Sequence, residues 1–380
     1  MSNTYTTVRR ENYFQRLGNS FFGMLIGIVL IVAGCWLLFW NDGRAVDAER
    51  GLKAGAREVI SLTQPRVDPA NEGKLVHLSG PTTSPGTITD PATGAQFPNA
   101  LLVARKVEMF QWVQSSQSTT KEKVGGTQET TTTYTYTQQW SEMPQDSSTF
   151  AQPDGHINPE MPFSSERLVA ADATIGGFRL AQRLIDMLGD GTAATPAAPD
   201  GWRAEAGALL RGTGTAAAPQ LGDLRVTYAT IQAGTVVSVV AGQAGSDLVP
   251  WTRRGTNYEV YLSTEGAVPA GEMINQQREN EQALTWVLRV VGTIMNMIGF
   301  GLLLGPLKAL ANVFPPLAGL VGGGIGLVAM ALGLPLSLIV IATAWLVFRP
   351  LLAGGLIVAG IALFVFLSRR KAGVEPAPAA

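Results

Sequence analysis

Residues 284–368 hold three charges in 85 positions: Arg289, Lys308 and Arg349. Soluble domains average about 25% charged residues, so this block is composed for lipid. Residues 41–283 carry 46 charges in 243 positions, enough for an aqueous surface around a core of their own. The partition excludes a wholly soluble enzyme and a disordered tail protein. A net charge of −1 lacks the basic field that phosphate binding needs, so nucleic acid is not an expected partner.

Phe21–Trp40 is 20 residues without a charge, long enough at 1.5 Å per residue for a hydrocarbon core of about 30 Å. Trp36 and Trp40 suit an interfacial aromatic belt. The run exceeds a usual signal-peptide core, and Asn41-Asp42-Gly43-Arg44 follows in place of a small-x-small cleavage site. An uncleaved anchor is expected. The C-terminal block predicts three further spans: 284–304, 317–348 (tilted or kinked at Pro335) and 351–367. Arg289 near the start of the second is expected to snorkel to the headgroups. The proline- and glycine-broken segment 305–316 reads as a short interfacial or cytoplasmic connection. Arg9, Arg10 and Arg16, then Lys308, then Arg369, Arg370 and Lys371 fall on one side of a four-span chain. The positive-inside rule makes that side the cytoplasm, with tails 1–20 and 368–380 there and 41–283 outside it.

Within 41–283 the first stretch, to about residue 60, reads as a helical stalk. From Lys74 the period changes to two. Lys74–Ser79, Leu101–Val113, Thr130–Trp140, Leu224–Ile231, Val236–Val240 and Tyr258–Leu262 are β-branched and aromatic runs bounded by turn residues. Within the second and third, Val107 to Trp112 followed by Thr130 to Tyr136 reads as a long hairpin turning near Gly125-Gly126. One amphipathic helix is expected over Gly177–Leu188. The fold class is therefore a multi-pass α-helical membrane protein of four spans, carrying a large inserted extracytoplasmic α+β domain dominated by antiparallel sheet. The single cysteine, Cys35, forbids an intrachain disulfide, and two histidines, His77 and His156, are too few for a four-ligand zinc site. No metal or cofactor is implied.

Small residues recur inside the spans at helix-packing spacing: Gly23, Gly27 and Gly34, then Gly301/Gly305, Gly319/Gly323 and Gly322/Gly326. Close backbone approach at such faces drives helix association in lipid, either within one bundle or between chains. Asn296 is the one strongly polar residue deep in a span, placed to bond a neighbouring helix or line a path.

Several blocks resemble the transmembrane protein 43 (LUMA) family. They are Leu38–Ala45 (with Asn41, Gly43 and Arg44; the family typically has Glu for Asp42), Asn71–His77 (Glu72, Gly73, His77) and Val107–Val113 (Glu108, Trp112). Gly155–Pro159 (His156, Asn158), Gly222–Val226 (Asp223, Arg225), Leu248–Pro250 and Ala344–Pro350 (Arg349) follow in the same order. The resemblance runs from about residue 10 to 370. It implies four spans with the large loop on the lumenal side. Animal members reside in the endoplasmic reticulum and inner nuclear membrane, self-associate and are linked to lamins and emerin. A membrane-organising role is implied without those partners, and no catalytic residues carry over.

Three functions follow as expectations. The first is a non-enzymatic scaffold that forms a homo-oligomer through its glycine-rich helices. It contacts membrane lipid and presents the sheet domain to a protein or a lipid headgroup. The second is a transporter or channel using Asn296, Arg289, Pro335 and the broken segment 305–316. The third is a tethered lipid- or glycan-acting enzyme using His156 with Asp154, or His77. An alanine- and glycine-rich composition points to a bacterial inner membrane, with the endoplasmic reticulum or nuclear envelope as the eukaryotic counterpart.

Overall fold

The computed structural model describes residues 3–11, 13–122, 127–307 and 315–350. Among the described residues four α-helices are formed: α1 (Tyr13–Glu58), α2 (Gln182–Asp186), α3 (Ala270–Leu303) and α4 (Pro315–Phe348). The 46 residues of α1 contain no proline, so the apolar run and the polar stalk are one rod of about 69 Å. α3 begins after Pro269, 14 residues before the predicted span at Leu284. Residue 284 marks where the helix turns apolar, because the Glu/Gln/Arg-rich turns before it are also good helix formers. α4 takes Pro315 and Pro316 into its first turn, where a missing N–H costs nothing, and runs through Pro335 unbroken. Among the described residues three helices are thus long and apolar enough to cross a membrane. The expected span 351–367, the tail 368–380, Lys308 and most of the connection 305–316 lie outside the described residues.

In chain order the strands are β1 (Thr4–Glu11), β2 (Ile60–Ser61), β3 (Leu75–Thr83), β4 (Thr87–Thr89), β5 (Gln96–Pro98), β6 (Ala100–Glu122), β7 (Gln128–Ser141), β8 (Glu166–Val169), β9 (Thr174–Ile175) and β10 (Phe178–Arg179). They continue as β11 (Thr192–Ala194), β12 (Arg203–Glu205), β13 (Ala208–Arg211), β14 (Leu224–Gln232), β15 (Val236–Ala244), β16 (Asp247–Val249), β17 (Trp251–Thr252), β18 (Glu259–Val260) and β19 (Leu262–Glu265). The predicted hairpin is present as β6 and β7, although its tip at Gly125-Gly126 is outside the described residues.

The chain divides into two compact units. One gathers residues up to Arg10 with Gly51–Lys121 and Glu129–Gln277; the other gathers Glu11–Arg50, Glu122–Gln128 and the residues from Arg278 onward. In the β-rich unit, one sheet has the order β1-β7-β6-β14-β13-β12, with β8 added to β6 and β11 to β14. In the other, β15, β16, β10, β9 and β3 pair in a ring that closes between β15 and β3, and β19 and β2 flank it. Closure removes edges that would otherwise template aggregation. Leu101, Leu102 and Ile231 of the first sheet pack against Val76, Leu78, Val239 and Ala241 of the second, all at most 3% exposed. Together with Phe178, Leu184 and Ile185 they form the main core.

The predicted helix over Gly177–Leu188 is corrected by the structure. Only Gln182–Asp186 is helical, and Phe178–Arg179 pairs with Thr174–Ile175 across Gly176 at φ 54°. Leu184, Ile185 and Leu188 are buried as expected, but a turn that only glycine accepts easily diverts the start.

The tail 1–20 is also more than a tail. β1 is an edge strand on β7: Tyr136 N–H donates to Asn3 O (3.0 Å), Tyr5 stacks on Tyr134 (6.4 Å) and Arg10 pairs with Glu129 (2.8 Å). Strands in one ladder share one aqueous compartment, since a bilayer core leaves unpaired backbone groups unsatisfied. The ladder is therefore incompatible with a crossing by Phe21–Trp40 that puts residues 1–20 and 41–283 on opposite sides.

Candidate functional site

In the helical unit, α1 and α3 run side by side at glycines. A Cβ on Gly27 would lie 2.6 Å from Gly299 O and 2.9 Å from Leu303 N, and one on Gly299 2.8 Å from Gly27 O. One heptad along, a Cβ on Gly34 would lie 3.0 Å from Gly292 O and collide with the Asn296 amide. Gly27 and Gly34 on one helix therefore match Gly299 and Gly292 on the other, with opposed chain direction. Gly23 and Gly305 have only loose neighbours near 3.9 Å, Leu302 and Ser20, and Gly301 faces Ala329. Gly319 and Gly323 lie in α4, their surroundings outside the described residues. Asn296 is fully buried: its amide donates to Ser337 Oγ (2.9 Å), and its Oδ1 lies 3.9 Å from Cys35 Sγ.

Above these glycines a polar ladder joins the same two helices. Asn41 Nδ2 donates to Thr285 O (3.0 Å), Arg44 pairs with Glu281, Asp42 with Arg289, and Glu49 with Arg278 (Nε 2.8 Å). Arg289 also has protein partners within the helices. Its guanidinium is held by buried Asp42 and lies over the rings of Trp286 (5.1 Å) and Trp345 (5.9 Å). A Cβ on Gly43 would meet the Phe348 ring at 2.8 Å, and Arg50 donates to Phe348 O (3.3 Å). The motif around Asn41-Gly43-Arg44 thus meets the motif ending at Arg349-Pro350, where Arg349 N–H caps onto Trp345 O (2.8 Å).

The remaining motif positions lie in the β-rich unit and act as fasteners. Asn158 imitates a strand partner: its Oδ1 accepts from Trp112 N–H (2.7 Å), and its Nδ2 donates to Trp112 O (2.9 Å). Gly155 (φ 84°) turns the chain so that His156, 1% exposed, stacks on Tyr136 (4.0 Å) and meets Trp112 edge-on (4.8 Å). A carbonyl, Gln152 O, faces His156 Nδ1 at 3.1 Å, so that nitrogen carries the proton. Asp154 is not its partner. Asp223 accepts from the amides of Thr213 (3.0 Å), Gly214 (3.1 Å) and Gln220 (2.6 Å), and Gly222 packs on Pro159. Glu108 and Arg225 pair across β6 and β14 (2.8 Å), with Arg225 over Trp140 at 4.5 Å. Glu72 accepts from Gly245 N–H, Gly73 takes φ 71°, and Pro250 leads out of β16. His77 Nε2 donates to Val268 O (2.9 Å) on the approach to α3, and burial pushes its pKa down despite that bond.

Sequence reading missed the buried network of Asp90, Arg105, Tyr228 and Thr93. Arg105 pairs with Asp90 and reaches Glu166 (2.9 Å) and Ser164 O (2.9 Å); Tyr228 Oη donates to Asp90 (2.6 Å). Burial alone raises the Asp90 pKa, but hydrogen bonds from Tyr228, the Ala92 amide and Thr93, with the Arg105 charge, outweigh it and hold it below the usual carboxylate value. Burial and then the bond to Asp90 push the Tyr228 phenol up. A cleft of about 870 Å³ opens beside this network, with Ala104, Thr227 and Ala229 among its lining and charges from Glu166, Arg167 and Asp186; neither histidine lines it. Among the described residues no cluster of three or more His, Cys, Asp or Glu could hold a metal.

These features define an integral membrane protein whose apolar helices are zipped by glycines and ion pairs and which carries a β-rich domain. The chain belongs to the transmembrane protein 43 family: the family model, Transmembrane protein 43, matches residues 109–350. It is 29% identical to human Transmembrane protein 43 over 96% of this chain and 93% of that protein. Identity to the Drosophila melanogaster homolog is 30%, covering 91% and 94%, and to the mouse protein 28%, covering 92% and 90%. No solved structure matches. These relatives are animal proteins, so the bacterial inner membrane suggested by composition has no support from them.

Proposed function

We propose that the chain is a membrane scaffold that self-associates through its helices and holds the β-rich domain outside the cytoplasm for protein or lipid binding. The observation that carries this reading is where the family-motif side chains go. Asn158, Asp223, Glu108 with Arg225, and Arg44 are engaged in locking loops, strands and helices together. Such a molecule offers surfaces. Asn296, bonded to Ser337, serves as interhelical glue rather than a transport ligand.

Sidedness rests on Arg9, Arg10 and Arg16 before the first span. Crossing by Phe21–Trp40 separates β1 from β7, losing the exposed Arg10–Glu129 pair, worth roughly 0–1 kcal/mol, and a ladder whose groups regain water. Phe21, Phe22, Leu25, Val29 and Val32 are exposed, and removing each from water returns about 1.5–3 kcal/mol. Insertion wins.

Gly27 and Gly34 are spent inside the chain, so the self-association seam moves to α4, where a Cβ on Gly324 or Gly326 meets nothing within 4 Å among the described residues. Gly326→Leu is expected to reduce the detergent-solubilised assembly to one chain by light scattering. An unchanged mass rejects α4 as the seam.

A further inference from the structure

Among the described residues of the helical unit, four buried polar atoms have no hydrogen-bond partner: Asp42 Oδ2, Arg44 Nε, Arg289 Nε and Trp345 Nε1. Buried polar groups are nearly always satisfied, and a concentration of exceptions signals a missing water, ion or ligand. These four belong to one contiguous group. Arg289 is bound to Asp42 and lies over Trp345; Arg44 reaches Asn41 Oδ1 (3.5 Å) and Thr285 Oγ1 (3.3 Å), one turn before Arg289. Asp42 is 3% exposed. The side chains of Arg44 and Arg289 keep 20% and 15% exposure, so the group is open at its rim. Exposed, stacked Trp36 and Trp40, and exposed Trp286, mark this level of the helices as the bilayer interface.

The unmet demand has a definite chemistry. Three N–H donors call for an anionic acceptor, and one carboxylate oxygen calls for a donor. The charges of Asp42, Arg44, Glu281 and Arg289 cancel, so neither a purely anionic nor a purely cationic ligand is favoured by net field. We propose that this cluster binds a zwitterionic phospholipid headgroup with a primary ammonium, of the phosphoethanolamine type. Its phosphate takes the arginine and indole N–H groups, and its ammonium donates to Asp42 Oδ2. A choline headgroup carries the same charges but has no N–H to give. The site is independent of the scaffold reading.

The test is native mass spectrometry of the full chain, extracted from nanodiscs of phosphatidylethanolamine, phosphatidylcholine or phosphatidylglycerol, with soluble phosphoethanolamine as a fourth arm. Retention of phosphatidylethanolamine about 10-fold above both other lipids is expected. Trp345→Phe, which keeps the ring and removes one N–H, should cut that excess several-fold, as should Asp42→Asn, while circular dichroism is unchanged. Equal retention of ethanolamine and choline lipids, a preference for phosphatidylglycerol, or an ethanolamine preference untouched by both substitutions overturns the proposal. Binding of soluble phosphoethanolamine as tightly as the lipid overturns its assignment to a membrane headgroup.

Discussion

Gly27→Leu is expected to unfold the helical unit, not to change an oligomer. The new side chain starts 2.6 Å from the Gly299 carbonyl and 2.9 Å from Leu303 N. Both are backbone atoms of a facing helix that cannot rotate away. Overpacking of this kind costs about 1–3 kcal/mol and more where the neighbour is rigid. Every contact of the ladder above, from Asn41–Thr285 to Glu49–Arg278, depends on the same helix separation. Gly23→Leu is the control, since its nearest neighbour is Leu302 Cδ2 at 3.9 Å. Denaturation in detergent followed by circular dichroism should show a large loss for Gly27→Leu and a small one for Gly23→Leu. Equal stability of the two would mean that the helices do not touch at Gly27.

The second large effect belongs to the β-rich unit. Arg105→Met leaves the Asp90 carboxylate, whose side chain is wholly buried, without its cation. Breaking one partner of a buried pair costs about 3–5 kcal/mol, whereas removing both can be nearly neutral. Arg105→Met should therefore be markedly less stable than Asp90→Asn combined with Arg105→Met. The pH dependence has a fixed sign. The folded pKa of Asp90 lies below its ordinary value, so this carboxylate contributes stability above an unfolded pKa of about 3.9 and loses it as pH falls through the lower folded value. The deficit of Arg105→Met should narrow below about pH 4, where Asp90 in the variant is protonated. A deficit that stays constant from pH 7 to 3 would contradict the network.

Much of the architecture is legible in the residues because hydrophobic period is local. The strands at Leu75, Leu224 and Val236 and the β6–β7 hairpin start within a residue or two of where alternation places them. The contents of the site are less legible because partners lie far apart in sequence. Gly292 and Gly299 repeat the seven-residue spacing of Gly27 and Gly34, a match visible only once the helices are known to be antiparallel. Arg289 reads as an end residue facing the headgroups alone until Asp42, 247 positions earlier, is placed beside it as a partner. Asp90 sits in an ordinary Asp-Pro turn, and nothing in that turn announces Arg105 and Tyr228. The histidines drew the eye by rarity, yet His156 serves as a ring in an aromatic stack.

The most direct test of the central claim, that apolar helices fix the β-rich domain across the bilayer from the N-terminus, is impermeant thiol labelling in sealed vesicles of known orientation. Thr6→Cys and Ser118→Cys, both exposed positions, are introduced singly into a Cys35→Ser chain. The account predicts that Ser118→Cys reacts from the extracytoplasmic side and Thr6→Cys only from the cytoplasmic side. Reaction of both from one side would show that β1 keeps its place on β7 and that Phe21–Trp40 does not separate them.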